Sequence, residues 1–82
     1  MEYHHDPQYV IDRFPDAVVE AALPQPDEQG RPVHRIRIPA NDGYGLRMWL
    51  LGQAGLVRVL SPRNIRDYVV ACLQEALGRY DG

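Results

Sequence analysis

Apolar residues recur at helical spacing in three parts of the chain, which predicts three amphipathic helices. The longest pattern covers residues 62–80 and continues for more than four turns. A second pattern predicts a helix over 42–54, with Asp42 as its N-cap and Gly55 closing it. A third, short helix is predicted over 7–14.

Strand-like segments lie between these helices. Residues 17–23 and 56–60 are apolar and partly β-branched, and 33–39 alternates between apolar and basic side chains. Residues 2–5 complete the set, although this segment is too short to assign from its pattern alone. The connection over 24–32 contains three prolines and one glycine, so we expect a long, flexible hairpin loop there.

The order of these elements predicts one domain over residues 1–82, of the α+β class. A βαββαβ order with an additional C-terminal helix is typical of the ferredoxin-like, split βαβ arrangement, in which helices cover one face of the sheet. The alternation in the third strand then directs Ile36 and Ile38 toward the helices. Arg35 and Arg37 are expected on the open face.

The net charge of −2 conceals a strong asymmetry along the chain. Residues 1–30 contain seven acidic residues and one arginine, whereas residues 31–66 contain seven arginines and one aspartate. Such a division indicates an anionic partner for the basic segment. The alternative interpretation, of similar weight, is that the two segments fold against each other and neutralise.

Arg35, Arg37 and Arg58 are the first candidate binding residues, because the predicted layout places them on the open sheet face. Arginines on such a surface suit phosphates or an acidic partner. The alternative is a solvated face on which arginine stems cover apolar surface. No aromatic residue accompanies the arginines in the third strand, although single-strand binders normally add stacking platforms.

Arg63 and Arg66 form a second candidate site in the first turn of the last helix. Helix N-termini favour anions, so these two side chains are suited to a phosphate or a partner carboxylate. The alternative is that Arg66 pairs with Asp67 or another neighbouring acid.

Little in the sequence indicates catalysis or metal binding, so we expect no enzyme activity, no metal and no cofactor. His4 and His5 are adjacent and point to opposite faces of a strand, and Cys72 lies in the apolar stripe of the last helix. The loop over 41–45 lacks the lysine and spacing of a phosphate-binding loop. One cysteine and no apolar run of about 20 residues predict a reduced, cytoplasmic protein outside the membrane.

Several short motifs occur in a recognisable order. Trp49-Leu50-Leu51-Gly52 is followed by Gly55, by the strand and proline over 57–62, and by Arg66 at the start of a long helix that ends near Tyr80. Tyr3-His-His-Asp-Pro and Arg13-Phe14-Pro15 match the front of the same pattern. In this order and spacing the chain resembles the WCX domain, the C-terminal extension of WYL-type bacterial transcription regulators.

The resemblance implies a module for dimerisation and for the response to an effector. Its partners would be a second copy or a WYL domain, with operator DNA contacted through the full-length regulator and single-stranded DNA as an effector in some relatives. A different class also fits the βαββαβ order: an ACT-like domain that senses small molecules, with the loop over 41–45 as its only suitable feature.

Overall fold

A computed structural model describes residues 1–81. Within this range the chain forms four strands and three α-helices, the last of them C-terminal, so the α+β class is as predicted. The elements are β1 (Glu2–Tyr3), α1 (Gln8–Arg13), β2 (Val18–Ala22), β3 (His34–Arg37), α2 (Tyr44–Gly52), β4 (Val57–Arg58) and α3 (Arg63–Asp81).

The four strands form one sheet in the order β2-β3-β1-β4, and every neighbouring pair is antiparallel. In the centre of the sheet, Tyr3 lies opposite His34 on one side and opposite Val57 on the other. Tyr3 and Ile36 are buried together with Val10 of α1, so this face of the sheet is covered by helices. The other face is open to solvent.

Within residues 1–81, seven of the eight buried apolar side chains fall into two clusters, and the eighth, Val33, belongs to neither. The first cluster joins the sheet to α1 and consists of Tyr3, Val10 and Ile36. The second cluster joins α2, α3 and the residue that follows β4, and consists of Leu50, Val59, Ile65 and Val69. The partly buried side chains that pack against both clusters are Met1, Trp49 and Val57. The two helices that follow β3 are therefore connected to the central strands through only a few side chains.

Helix α2 is shorter than the sequence pattern predicts. It begins at Tyr44 after an extended Gly43, because the carboxylate of Asp42 binds the Arg47 guanidinium instead of capping the helix. It ends at Gly52, and Ala54 then adopts a positive φ of 49°. The backbone direction therefore changes at Ala54, before Gly55, and a single 3₁₀ turn over Ala54–Leu56 leads into β4.

Helix α3 agrees with the predicted range of 62–80 to within one residue at each end, but only its first half packs on the domain. Ile65 and Val69 are buried, whereas Leu73, Leu77 and Tyr80 are 41%, 61% and 89% exposed. The apolar stripe continues along the helix beyond the point where other elements of the domain cover it. Its C-terminal half therefore leaves apolar side chains on the surface.

The proline-rich loop after β2 is built around one carboxylate. Asp27 accepts hydrogen bonds from the backbone N–H groups of Gln29 and Arg31, from Arg31 Nε and from the ring of His4. Its side chain is only 2% exposed. Gly30 has a φ of 77°, which glycine adopts without steric cost, and this allows the turn to close. The loop that was expected to be flexible thus has a hydrogen-bonded centre attached to β1.

No helix within residues 1–81 combines the length and the apolar character that a membrane span requires.

Candidate functional site

The uncovered face of the sheet carries a row of three charged side chains. Glu2 of β1 lies opposite Arg35 of β3 and, on its other side, opposite Arg58 of β4. Residues paired across an antiparallel sheet point to the same side, so the row alternates in charge. Arg58 Nη1 is 3.4 Å from Glu2 Oε1, and Glu2 is only 15% exposed. Within residues 1–81, the Glu2 carboxylate forms a salt bridge with Arg58, and Arg35 forms none.

Arg37 extends this row along β3. It lies two residues beyond Arg35 and points to the same side. Its Nε is 3.8 Å from Glu20 Oε2, which is too long for a hydrogen bond, and both side chains are largely exposed. Glu20 lies where the register of β2 against β3 shifts between Val19 and Ala21. We call the five charged residues on this surface the arginine face: Glu2, Glu20, Arg35, Arg37 and Arg58.

The arginine face is less basic than the sequence alone suggests. The structure brings Arg35, Arg37 and Arg58 onto one surface, but Glu2 and Glu20 reduce their combined charge to a net +1. Both glutamates come from the acidic first part of the chain, so the two oppositely charged segments partly neutralise each other. Neither glutamate was among the residues predicted for this surface. A lone charge within the apolar segment 17–23 was an available signal for Glu20, whereas Glu2 depends on the sheet register.

Arg63 and Arg66 lie in the first turn of α3, and both bind the same neighbour. Arg63 Nε is 3.5 Å from one oxygen of Asp67, and Arg66 Nη1 is 3.4 Å from the other. Arg63 is 90% exposed and Arg66 is 53% exposed. Exposed pairs of this kind contribute little stability, so either guanidinium can exchange Asp67 for another anion at low cost.

Arg66 is also close to the arginine face. It lines a groove of about 250 Å³ between β4 and α3, together with Arg58. The walls of this groove are otherwise apolar and include Val57, Val70 and Leu73. Arg58 therefore connects the arginine face to the start of α3, while Arg63 lies farther out in solvent.

Tyr3 and Tyr44 were the candidate stacking residues for the arginine face, and the structure places both away from Arg35 and Arg37. Tyr3 lies on the helix-covered side of the sheet and is 2% exposed. Tyr44 is 75% exposed at the start of α2, near Tyr68 of α3. Neither of these tyrosines provides a stacking surface beside Arg35 or Arg37.

A second charged cluster occupies the junction of α2 and α3. Arg47 donates hydrogen bonds of 2.8 and 2.6 Å to the two carboxylate oxygens of Asp42, and its guanidinium lies 4.5 Å above the ring of Tyr68. The hydrogen bond from Arg47 lowers the pKa of Asp42, and the same contact raises the pKa of Arg47. A hydrogen bond with Cys72 raises the pKa of Tyr68. Arg47 is therefore engaged in attaching the loop before α2 to α3.

The histidines and the cysteine are separated from one another in the fold. His4 Nδ1 is 2.8 Å from Asp27 Oδ2, and His5 stacks on Tyr9 with 5.1 Å between ring centroids. His34 Nδ1 is buried and has no hydrogen-bond partner in the part of the chain that the structure describes. Over residues 1–81, no three His, Cys, Asp or Glu side chains are grouped closely enough to hold a metal ion.

The exposed side of α3 is a third feature of the surface. Its apolar members are 41% to 89% exposed and follow one another at helical spacing. We call this set the α3 surface: Val70, Leu73, Leu77 and Tyr80. It adjoins the groove that contains Arg58 and Arg66, because Val70 and Leu73 line that groove as well.

These observations describe a small α+β domain with one helix-covered sheet face, one open charged face and an apolar helix surface beside it. The comparison with protein families then identifies the family. Residues 4–77 match the model of the WCX domain, and the chain belongs to that family. This domain is associated with transcription regulators of the WYL type. No curated protein and no solved structure gave a significant match.

Proposed function

We propose that this chain is the regulatory and dimerisation domain of a WYL-type transcription regulator and that it responds to an anionic effector, with single-stranded DNA as the candidate. The domain acts by binding and not by catalysis, and it works in the cytoplasm. The regulator as a whole contacts its operator DNA through other parts. The main support is the position of Arg35, Arg37 and Arg58 on the sheet face that the helices leave free.

The fold supports this function because it separates packing from binding. The sheet order β2-β3-β1-β4 with antiparallel neighbours agrees with the ferredoxin-like arrangement that we propose for the domain. In that arrangement all helices share one face, so the other face is available to a ligand or a partner. Arg58 and Arg66 extend the available surface around the edge of the sheet toward α3.

The charges on the arginine face determine what it can bind. Its guanidinium groups suit the bidentate geometry of phosphate oxygens. A net charge of only +1, and the lack of stacking side chains beside the arginines, favour weak and strongly salt-dependent binding over tight, sequence-specific binding. In the proposed function, this domain supplies part of an effector site that a neighbouring domain or a second copy completes.

Anisotropy of a labelled single-stranded oligonucleotide, titrated with the 82-residue chain at several salt concentrations, tests the effector hypothesis. Three phosphate contacts predict a slope of about −2 for log K against log salt concentration. The triple change Arg35→Ala, Arg37→Ala, Arg58→Ala removes both the binding and this slope. The double change Arg13→Ala, Arg79→Ala is the matched control, because it removes positive charge elsewhere and leaves the slope unchanged.

Removing the carboxylates gives a second, opposite test. The double change Glu2→Gln, Glu20→Gln raises the net charge of the face from +1 to +3 and strengthens binding at low salt, by about fivefold for each carboxylate. Circular dichroism confirms that the variants remain folded. The effector hypothesis is wrong if the wild-type chain fails to bind at low salt, or if the triple and control variants lose affinity equally.

A further inference from the structure

A pocket with aromatic walls lies on the helix-covered side of the sheet, where β1 meets α1 and α2. Its volume is about 300 Å³, and it is lined by Tyr3, His5, Tyr9, Trp49 and Gln53. This volume is at the lower limit of about 300 Å³ for small-molecule pockets, so it suits a ligand of few atoms. None of the lining residues belongs to the arginine face or to the α3 surface. The proposed function therefore assigns no role to this pocket.

The aromatic rings of the pocket are held in position by other rings or by the core. Tyr9 is 58% exposed, but its ring stacks on His5 with 5.1 Å between centroids and 22° between planes. Trp49 meets Phe14 edge to face at 5.1 Å, and Tyr3 is buried in the first cluster. The walls are thus formed before a ligand arrives, which reduces the free energy lost in ordering them.

Two oxygen atoms of the pocket are available to a ligand. Tyr3 is only 2% exposed, yet its hydroxyl forms no hydrogen bond within residues 1–81. Gln53 donates through Nε2 to the Trp49 carbonyl at 3.4 Å, which leaves its amide oxygen Oε1 as an acceptor. A nearly buried polar group without a partner is costly, so a ligand that contacts these oxygens gains free energy.

The charge around the pocket favours a cation. Over the described chain, no arginine lines it. Burial raises the pKa of Tyr3, and the nearby Tyr9 and Asp6 raise it further. The Asp6 carboxylate is fixed at the start of α1, where it accepts a hydrogen bond of 2.9 Å from the backbone N–H of Gln8. The faces of aromatic rings also carry partial negative charge, so the pocket attracts positive groups and repels phosphates.

We propose that this pocket binds a small organic cation with an alkylated ammonium group. The ammonium group lies against the rings of Tyr3, Tyr9 and Trp49, because aromatic rings attract alkylated cations by the cation–π interaction. Asp6 supplies the opposite charge. The Tyr3 hydroxyl and the Gln53 amide oxygen contact a polar substituent of the ligand, such as a hydroxyl group. A neutral ligand of the same shape loses the cation–π attraction.

This inference goes beyond the proposed function and does not depend on it. The pocket and the arginine face lie on opposite sides of the sheet, and their ligands carry opposite charges. The binding of the cation and the binding of nucleic acid are therefore measured separately, and either can fail without the other.

A titration of the 82-residue chain with choline tests the proposal. Trp49 is the only tryptophan of the sequence and lines the pocket, so its fluorescence reports on the site. Sodium chloride holds the ionic strength constant. Choline is expected to change the emission saturably, with a Kd on the order of 1 mM, and to raise Tm near saturation. The neutral isostere 3,3-dimethylbutan-1-ol is expected to bind about threefold more weakly, and acetate is expected to have no saturable effect.

Three tyrosine variants test the aromatic wall. Tyr9→Leu removes an exposed ring and is expected to weaken choline binding by about threefold, whereas Tyr9→Phe keeps the ring and the affinity. Tyr44→Leu is the matched control, because Tyr44 is 75% exposed and lies outside the pocket, and it should leave the Kd unchanged. Circular dichroism checks that each variant is folded.

The charge of Asp6 is tested by Asp6→Asn, which keeps a side-chain oxygen for the backbone N–H of Gln8 and removes the carboxylate. We expect it to weaken choline binding by about twofold and to leave the binding of the neutral isostere unchanged. The proposal is overturned if choline changes neither the emission nor Tm of the wild-type chain up to about 100 mM, which is a hundredfold above the expected Kd. It is equally overturned if the neutral isostere binds as tightly as choline, or if Tyr44→Leu and Tyr9→Phe weaken binding as much as Tyr9→Leu does.

Discussion

Glu2 illustrates how a single residue changes the character of a surface. It lies between Arg35 and Arg58 and is more buried than Arg58, so it reduces the charge of the arginine face at its centre. Arg37 retains greater freedom, because its contact with Glu20 is long and exposed. Anion binding is therefore expected to depend more on Arg35 and Arg37 than on Arg58, whose guanidinium is paired with Glu2.

Asp27 is a residue whose negative charge stabilises the folded state. Burial opposes its ionisation, but hydrogen bonds from His4, Arg31 and Gln29 outweigh this effect and hold the pKa of the carboxyl well below its ordinary value. The stabilisation is complete above the pKa of about 3.9 in the unfolded chain and decreases as the pH falls below it. We expect Asp27→Asn to lower Tm at pH 7 by at least about 4 °C and to flatten the acid branch of the stability profile.

Thermal unfolding of the variant between neutral and acidic pH, followed by circular dichroism, measures both effects. Asp16→Asn is the matched control, since Asp16 is exposed at the end of the α1 region and forms no salt bridge within residues 1–81. An acid branch in Asp27→Asn as steep as in the wild type would contradict this account of the loop.

The alternation along β3 correctly predicted which face of the sheet each side chain occupies. Contacts between residues distant in the sequence could not be predicted. The period of two placed Ile36 inward and Arg35 and Arg37 outward. The partners Glu2 and Glu20 depend on sheet register and on the shift within β2, and neither is encoded in local spacing. Asp27 was missed for the same reason, because its ring partner His4 lies 23 positions away.

At the scale of elements, β3 is the strand on which the fold depends most. It pairs with both β2 and β1, and Ile36 at its centre is completely buried. We expect Ile36→Ala to reduce the free energy of unfolding by about 2–5 kcal/mol and Ile36→Val by about 0.5–1.5 kcal/mol. Both values should lie in the lower half of their range, because Ile36 lines an open pocket and therefore has fewer packing partners on that side.

Urea unfolding of the two Ile36 variants checks this prediction, with an unchanged m-value as the sign that only the native packing has altered. Val18→Ala on the edge strand β2 is the control, since Val18 is 42% exposed and its truncation should cost much less. If Val18→Ala and Ile36→Val reduce the free energy of unfolding by the same amount, the stability of the domain does not depend on β3 more than on β2.

The start of α2 differed from the prediction because the expected capping side chain forms a stronger interaction elsewhere. Asp42 has the residue type of an N-cap, yet its bidentate contact with Arg47 is the better interaction and leaves Gly43 at the helix start. Apolar spacing predicted the length of α3 well. It did not predict how much of the stripe is buried, because that depends on how far the neighbouring elements extend.

At the scale of the whole molecule, α3 extends past the remainder of the domain. The radius of gyration is 13.1 Å, somewhat above the value of about 12 Å typical of a compact chain of this length. The helix has 19 residues and is about 28 Å long, but its buried residues Ile65 and Val69 belong to its first two turns. The α3 surface is thus an apolar stripe that the rest of the chain does not cover.

We expect the α3 surface to mediate the proposed dimerisation. In an antiparallel pair of α3 helices about a twofold axis, Val70 would lie opposite Leu77 of the other copy and Arg66 opposite Asp81. Leu73→Glu introduces a charge at the centre of that contact and should convert the dimer to a monomer at micromolar concentration. Sedimentation velocity measures this change.

Ala71→Glu is the matched control, because position 71 is exposed and lies about 200° around the helix from position 73. It should leave the dimer intact. A wild-type chain that sediments as a monomer at every concentration tested, or equal dissociation in both variants, would show that α3 does not mediate self-association.

The two edge strands of the sheet determine whether the domain can aggregate through strand addition at high concentration. β4 consists of two residues and carries Arg58, and β2 has an irregular register at Glu20. A growing intermolecular sheet needs a long, flat, uncharged border to which the next chain can add its backbone. Neither border meets that requirement, so accumulation of this protein during synthesis or refolding should not seed fibrils through its native sheet. Arg58 on β4 and the irregular register at Glu20 on β2 thus shape the arginine face and also keep the sheet from adding further strands.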